Sequence, residues 1–138
     1  INRAVWNENT ALTFQPDYAD GGRVMLHPNS QGMEIEAIDV RDLLRAQHYD
    51  FIKMDIEGAE RIVLPACVPY LENVQYLFVE YHDTIGQPQV FVEIVDLMVT
   101  TGYHLSVDRV WGSDSPFNTV TINDANMDFQ ANIFGWRE

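Results

Sequence analysis

The feature that most constrains the fold of this sequence is a regular alternation of helix-like and strand-like segments that begins at Asp39. Asp39 is a suitable N-cap, and the apolar residues Val40, Leu43 and Leu44 after it have helical spacing. The following segments predict strands at 50–56, 76–82 and 103–107, with helices from Glu57 to near Leu64, where Pro65 should end or kink the helix, and over 88–101. This order indicates an α/β fold of βαβ units, with a mostly parallel sheet covered by helices.

The flanking segments are predicted to be strands. Residues 1–6 and 10–15 read as two strands joined by a turn at 7–9, and residues 23–27 and 33–38 read as two more. The chain closes with predicted strands at 119–122 and 130–136 around a polar turn at 123–126, and these are expected to return antiparallel. The length of 138 residues suits a single domain.

Composition narrows the classes of function. Eight Lys and Arg against 21 Asp and Glu give a net charge of -13, which would repel nucleic-acid backbones and anionic membranes. The single cysteine, Cys67, excludes an internal disulfide or a multi-cysteine zinc site. No apolar run approaches the roughly 18 residues that span a bilayer. Sparse cysteine fits a reducing compartment, so we expect a cytoplasmic protein that binds neither nucleic acid nor membrane.

The segment 50–60 places charge on a strand that should be buried. Alternation puts Lys53 and Asp55 on one face, where they can compensate each other, and Asp55 falls at the carboxyl end, where α/β sheets bind ligands. Glu57 and Glu60 are predicted in the first turn of the next helix, which favours negative charge. The alternative, purely structural interpretation is that the carboxylates stabilise the helix terminus and that Lys53 neutralises their charge.

The next strand carries Glu80 and His82 towards the same edge. If the two strands are neighbours, these side chains converge with Lys53 and Asp55 on one rim. Such a rim could position a hydroxyl, accept its proton, or hold a divalent ion, although no spacing specifies a metal and none is assigned. The competing interpretation is that Glu80 and His82 are a surface pair. The candidate catalytic residues are Lys53, Asp55, Glu57, Glu80 and His82.

The stretch Asp-Phe-Ile-Lys-Met-Asp-Ile-Glu-Gly-Ala-Glu at 50–60 resembles the signature of the FkbM family of S-adenosylmethionine-dependent methyltransferases. The strand at 78–82 and the Gly-Tyr pair at 102–103 are also similar to the family pattern. The resemblance implies a Rossmann-like methyltransferase sheet and methyl transfer to a hydroxyl, often on a sugar or natural product. It places Asp55 nearest the acceptor, with Glu57, Glu80 and His82 as base or orienter and Lys53 tuning the carboxylates.

The Asp-x-Gly-x-Asn-x-Gly loop of such families, and the acidic strand end for the ribose, do not occur in this sequence. The resemblance therefore implies a single partial domain, 1–138, that lacks the first strands and the glycine-rich loop. S-adenosylmethionine is the implied cofactor, and its binding residues are unassigned. The strand at 50–56 should then lie at the edge of the sheet, where its unpaired backbone groups can bind another strand. We expect either the amino-terminal strands or a second copy, as in a homodimer, to cover it.

Two alternatives belong to other functional classes. The chain can be a non-catalytic oligomeric α/β module that only binds partners. It can also be an acidic metal-assisted enzyme that uses Asp55, Glu57 and Glu80 without S-adenosylmethionine.

Overall fold

The computed structural model describes residues 1–16, 22–25, 32–119, 122 and 127–138, which form two mixed sheets and associated helices. The first sheet has the order β1-β4-β2-β3. Its strands are β1 (Ala4–Trp6), β2 (Thr10–Pro16), β3 (Gly22–Val24) and β4 (Met33–Asp39). The predicted β-rich first third is thus confirmed. However, β1 and β2 do not pair with each other, because both pair with β4, β1 parallel and β2 antiparallel.

The second sheet has the order β5-β6-β8-β7. Its strands are β5 (Phe51–Met54), β6 (Tyr76–Thr84), β7 (His104–Gly112) and β8 (Met127–Trp136). Strands β5 and β6 pair in parallel, whereas β8 is antiparallel to both β6 and β7. The antiparallel closing strand is confirmed, but the expected mostly parallel sheet is wrong. The reason is that β8 inserts between β6 and β7, so the crossover from β6 to β7 joins strands that are not neighbours.

Three α-helices cover one face of the second sheet together with a 3-10 helix at Val68–Asn73. They are α1 (Val40–Ala46), α2 (Glu60–Cys67) and α3 (Phe91–Thr100). Asp39 caps α1 as predicted, because its side chain accepts a hydrogen bond from the backbone N–H of Arg41 at 2.8 Å. Gly102 follows α3 with φ 94°, the left-handed conformation that glycine favours after a helix. None of the helices in the described ranges has the length and apolar character needed to cross a bilayer.

Pro65 was predicted to end or kink α2 near Leu64, and of these two outcomes the end is wrong. The helix continues through Pro65 to Cys67 and passes into the 3-10 helix. Pro65 removes one backbone donor, but it is solvent-exposed, so the unpaired carbonyl of the preceding turn can be hydrated. Of the remaining predicted segments, residues 26–27 and 120–121 of two strands and the polar turn at 123–126 lie outside the described residues, and Thr119 and Ile122 are not in a strand.

The hydrophobic core lies between the second sheet and its helices. Its fully buried members include Val63, Leu64 and Cys67 of α2 and Leu77 and Val79 of β6. Trp6 and Ala37 join this core from the first sheet. Among the described residues, β5 pairs only with β6, so its outer edge has no strand partner. The amino-terminal strands belong to the other sheet, and the expectation that they fill this edge is wrong.

Candidate functional site

The parallel pairing of β5 and β6 brings the candidate residues to one edge of the second sheet, as predicted. Lys53 lies opposite Phe78 in the register, and its Nζ is 5.8 Å from the Phe78 ring centroid. The same Nζ donates to Asp55 Oδ2 at 2.9 Å. This hydrogen bond, the charge of Asp55 and the charge of Glu80 raise the pKa of Lys53. Lys53 therefore stays protonated and balances Asp55.

A turn at residues 57–59 connects the end of β5 to α2. Glu57 and Gly58 both have positive φ, at 55° and 95°. Glu57 is therefore not in the first turn of the helix as predicted, because left-handed residues cannot continue a right-handed helix. Glu60 is the first helical residue. The turn directs the Glu57 carboxylate back to β6, where its Oε2 lies 3.9 Å from His82 Nε2.

The side chains of Lys53, Asp55, Glu57 and Glu80 form the rim. Next to them, Glu60 and His82 form a buried pair whose side chains are 1% and 2% exposed. His82 Nδ1 lies 3.1 Å from Glu60 Oε1, which also accepts the backbone N–H groups of Ile56 at 3.1 Å and Gly58 at 3.2 Å. Buried carboxylates persist when they are paired and hydrogen-bonded. Glu60 Oε2 is also buried, and no hydrogen-bond partner for it is found within the described ranges.

The other ring nitrogen of His82 faces the carboxylates of the rim. His82 Nε2 lies 4.0 Å from Glu80 Oε1 and 3.3 Å from Gln130 Nε2, and Gln130 also donates to Glu80 Oε1. Burial opposes the charge on His82, but the hydrogen bond to Glu60 and the charges of Glu60, Glu57 and Glu80 raise its pKa overall. The pKa of Glu57 is raised mainly by burial, against the attraction of His82 and with repulsion from neighbouring carboxylates.

All five predicted site residues therefore lie in one cluster, although their catalytic roles stay predictions. The interpretation of Glu80 and His82 as a surface pair is wrong for His82, which is 2% exposed. Sequence analysis treated Glu60 only as a helix-terminal charge and missed Gln130. The antiparallel register that sets Gln130 opposite His82 joins positions 48 residues apart. One local pattern could have indicated Gln130 as a site residue. Polar residues occupy alternate positions of β8, at Gln130 and Asn132.

The rim also contains a set of potential metal ligands. Asp55, Glu57 and His82 each offer one donor atom, and these three atoms lie within 4.8 Å of one another. The sequence had specified no metal, because the three residues do not follow a recognised spacing. They come together only through the turn at 57–59 and the pairing of β5 with β6.

A cleft of about 280 Å³ opens beside the rim. It runs between the turn at 57–59 and the first sheet, and its lining residues include Trp6, Arg23, Glu57, Gly58, Arg61 and Thr84. The cleft gives a molecule from solvent direct access to Glu57. Concave sites with a few convergent polar groups are typical of small-molecule binding.

In open α/β sheets, ligands generally bind beyond the carboxyl ends of the parallel strands, and the polar rim lies at that position. The family model of the Methyltransferase FkbM domain matches residues 6–105 of the chain. This chain therefore belongs to the FkbM methyltransferase family. No match was found among curated proteins or among solved structures.

The family normally uses S-adenosylmethionine, whose ribose and amino acid groups need polar partners. The groove along the free edge of β5 is lined almost entirely by apolar residues, with Lys53 as its charged member. The cleft at the rim presents Arg23, Glu57 and Arg61 rather than a glycine-rich loop. The described residues thus do not form a complete site for this cofactor, and we assign no cofactor contact to them.

Proposed function

We propose that this chain carries the acceptor side of an S-adenosylmethionine-dependent O-methylation, with a hydroxyl of a sugar or natural product as the acceptor. Membership of the FkbM family supports methyl transfer. The carboxylate rim beside an open cleft supports a hydroxyl acceptor, because carboxylates accept the hydrogen bond and the proton of a hydroxyl.

In O-methylation by S-adenosylmethionine the acceptor oxygen forms a bond to the methyl carbon and loses its proton, while the bond from that carbon to the sulfonium sulfur breaks and the thioether leaves as S-adenosylhomocysteine. Asp55 is suited to accept that proton, because it lies at the strand end and is partly exposed. The ammonium of Lys53 at 2.9 Å fixes its orientation. Glu57 borders both the cleft and His82, so it can share the hydrogen bond of the hydroxyl. His82, held by Glu60, positions Glu57 and Glu80 instead of touching the acceptor.

The single observation that carries this proposal is the convergence of Asp55, Glu57 and Glu80 around the buried His82 at the carboxyl ends of β5 and β6. Holding the acceptor oxygen and its proton acceptor in one geometry lowers the barrier by proximity as well as by proton transfer.

The test is an assay of the whole chain with methyl-labelled S-adenosylmethionine and a panel of sugars and phenolic or polyketide-like hydroxyl compounds. We expect label in an ether of at least one acceptor, identified by mass spectrometry. Label on nitrogen or sulfur would contradict the hydroxyl assignment. Absence of label with every acceptor, from protein whose fold is confirmed by circular dichroism and whose binding of S-adenosylmethionine is confirmed by calorimetry, would favour the non-catalytic module.

A further inference from the structure

We infer that the rim binds a divalent transition-metal ion through Asp55, Glu57 and His82. This site goes beyond methyl transfer, and metal binding can be tested without any methyl donor or acceptor. Three features of the rim favour a bound ion: the geometry of the donor atoms, the orientation of the imidazole and the balance of charge.

The donor atoms are separated by distances that one ion can bridge. Metal–oxygen and metal–nitrogen bonds of about 2.0–2.2 Å place two ligands of the same ion up to about 4 Å apart. His82 Nε2 and Glu57 Oε2 are 3.9 Å apart, and the three donor atoms lie within 4.8 Å of one another. Small side-chain rotations of the partly exposed Asp55 and Glu57 close the remaining gap. Glu80 Oε1, 4.0 Å from the same nitrogen, is close enough to serve as a further ligand.

The imidazole is oriented for coordination. When His82 is neutral and donates its Nδ1–H to Glu60 Oε1 at 3.1 Å, its Nε2 lone pair faces the rim. That lone pair can accept a hydrogen bond from Gln130 Nε2 at 3.3 Å or bind a cation that lies among the carboxylates. Histidines that bind metals usually donate their other N–H to a carboxylate or a carbonyl, which fixes the tautomer. Glu60 occupies that position.

The balance of charge is a separate argument for a cation. In the described part of the chain, His82 has four carboxylates around it, from Asp55, Glu57, Glu60 and Glu80. Lys53 pairs with Asp55. Four carboxylates against the one ammonium of Lys53 leave the cluster negatively charged, and a divalent ion at Nε2 would offset that charge.

The donor set selects the kind of ion. An imidazole with carboxylates suits Mn²⁺ or Zn²⁺, whereas Mg²⁺ and Ca²⁺ prefer oxygen ligands throughout. Three protein ligands leave coordination positions open towards the cleft. An acceptor hydroxyl bound there would lose its proton more easily, because a metal ion stabilises the negative charge on oxygen.

The test is titration of Mn²⁺ into the chelator-treated chain at neutral pH, followed by calorimetry and by electron paramagnetic resonance of free Mn²⁺. The variants Glu57→Gln and Asp55→Asn each remove one ligand from a partly exposed position. The control is His48→Gln, because His48 forms a similar imidazole–carboxylate pair with Asp50 at 2.9 Å on the surface. We expect one site, at least about tenfold weaker in each ligand variant and unchanged in the control.

Three results would overturn the inference: no binding to the chain, binding that both ligand variants retain, or an equal loss in His48→Gln. Retention in both variants would show diffuse attraction of Mn²⁺ to an acidic surface. Urea unfolding of each variant separates loss of a ligand from loss of the fold. A failed metal titration leaves methyl transfer intact, and a failed methyl-transfer assay leaves the metal site intact, since the measurements share no reagent.

Discussion

Among single residues, Glu60 shows how one carboxylate serves both the backbone and the site. Its Oε1 accepts two backbone N–H groups at the start of α2 and also contacts the ring of His82. Sequence reasoning identified the first role, because acidic residues stabilise helix amino-termini. The second role depends on β6 lying beside that terminus, which no local pattern encodes.

Glu60→Gln should lower the pKa of His82. The carboxylate favours the imidazolium, whereas burial opposes it, so removing the negative charge leaves the opposing effect dominant. Titration of the His82 ring resonances by NMR in chelator-containing buffer measures the change. Glu72→Gln, on the exposed part of the 3-10 helix, is the matched control and should leave His82 unchanged. A His82 pKa that rises in Glu60→Gln would contradict the pairing.

The same pairing fixes the sign of a stability effect. In the folded chain the pKa of His82 is raised above its ordinary value of 6.5. Its contribution to the free energy of unfolding is therefore fully present below pH 6.5 and is lost as pH rises through the folded-state pKa. Glu57, whose pKa is raised above 4.5, also favours folding at lower pH. Urea unfolding at several pH values should show both trends weakened in the double variant Glu57→Gln/Glu60→Gln.

Cys67 should be unreactive in the folded chain. It is 1% exposed, and burial, with a smaller effect of Asp39, raises its pKa from 9.0 to about 12. Thiolate formation in the folded state is therefore suppressed, and stability should fall once pH exceeds 9, because only the unfolded chain loses the proton. A thiol reagent should react slowly in native buffer and rapidly in urea. Fast reaction in native buffer would show that α2 is not packed as described.

At the scale of secondary-structure elements, the turn at 57–59 determines whether the rim forms. The apolar periodicity after residue 39 is strong enough to predict the existence and order of the three α-helices and of β5, β6, β7 and β8, although not the 3-10 helix. The predicted start of α2 was three residues too early. The reason is the positive φ of Glu57, which cannot be predicted from the presence of a glutamate in the sequence. A non-glycine residue held in this conformation is strained and depends on its surroundings.

Gly58→Ala and Gly86→Ala form a matched pair that tests the turn. Both glycines have positive φ, and an added Cβ would meet only Thr84 Oγ1 at 3.6 Å in the first case and nothing within 4 Å in the second. Each substitution should destabilise the fold by about 1–2 kcal/mol from backbone strain alone. Only Gly58→Ala should also weaken methyl transfer and Mn²⁺ binding, as measured by the assays above. If both variants lost methyl transfer and Mn²⁺ binding equally, the conformation of the turn at 57–59 would not be what forms the site.

At the scale of the whole molecule, the two sheets explain both the success and the failure of the sequence-based prediction. The parallel β5–β6 pair and its rim followed from βαβ alternation. The insertion of β8 between β6 and β7, and the separate amino-terminal sheet, depend on pairings between distant segments. Hydrophobic alternation shows that a segment is a strand, but it does not show which strand is its neighbour.

The free edge of β5 predicts self-association. Phe51 on this edge strand is 56% exposed, and Tyr76 and Trp136, which lie in register with it on β6 and β8, continue its apolar surface across the face of the sheet. We expect light scattering to show a dimer whose population rises with salt, because the net charge of -13 is then screened. Phe51→Lys should reduce association, whereas Phe117→Lys, at a fully exposed position elsewhere, should not. A monomer at all concentrations, or equal effects of both variants, would contradict a second copy at this edge.

The central claim is that the carboxylate rim at the carboxyl ends of β5 and β6 binds the acceptor hydroxyl and accepts its proton. The most direct test compares kcat/KM for methyl transfer in Asp55→Asn and Asp50→Asn, which remove one carboxylate from opposite ends of the same strand segment. The account predicts a loss of about 100-fold or more for Asp55→Asn, typical of a missing proton acceptor, with nearly unchanged activity for Asp50→Asn. Equal activity in the two variants, with both chains folded, would contradict it.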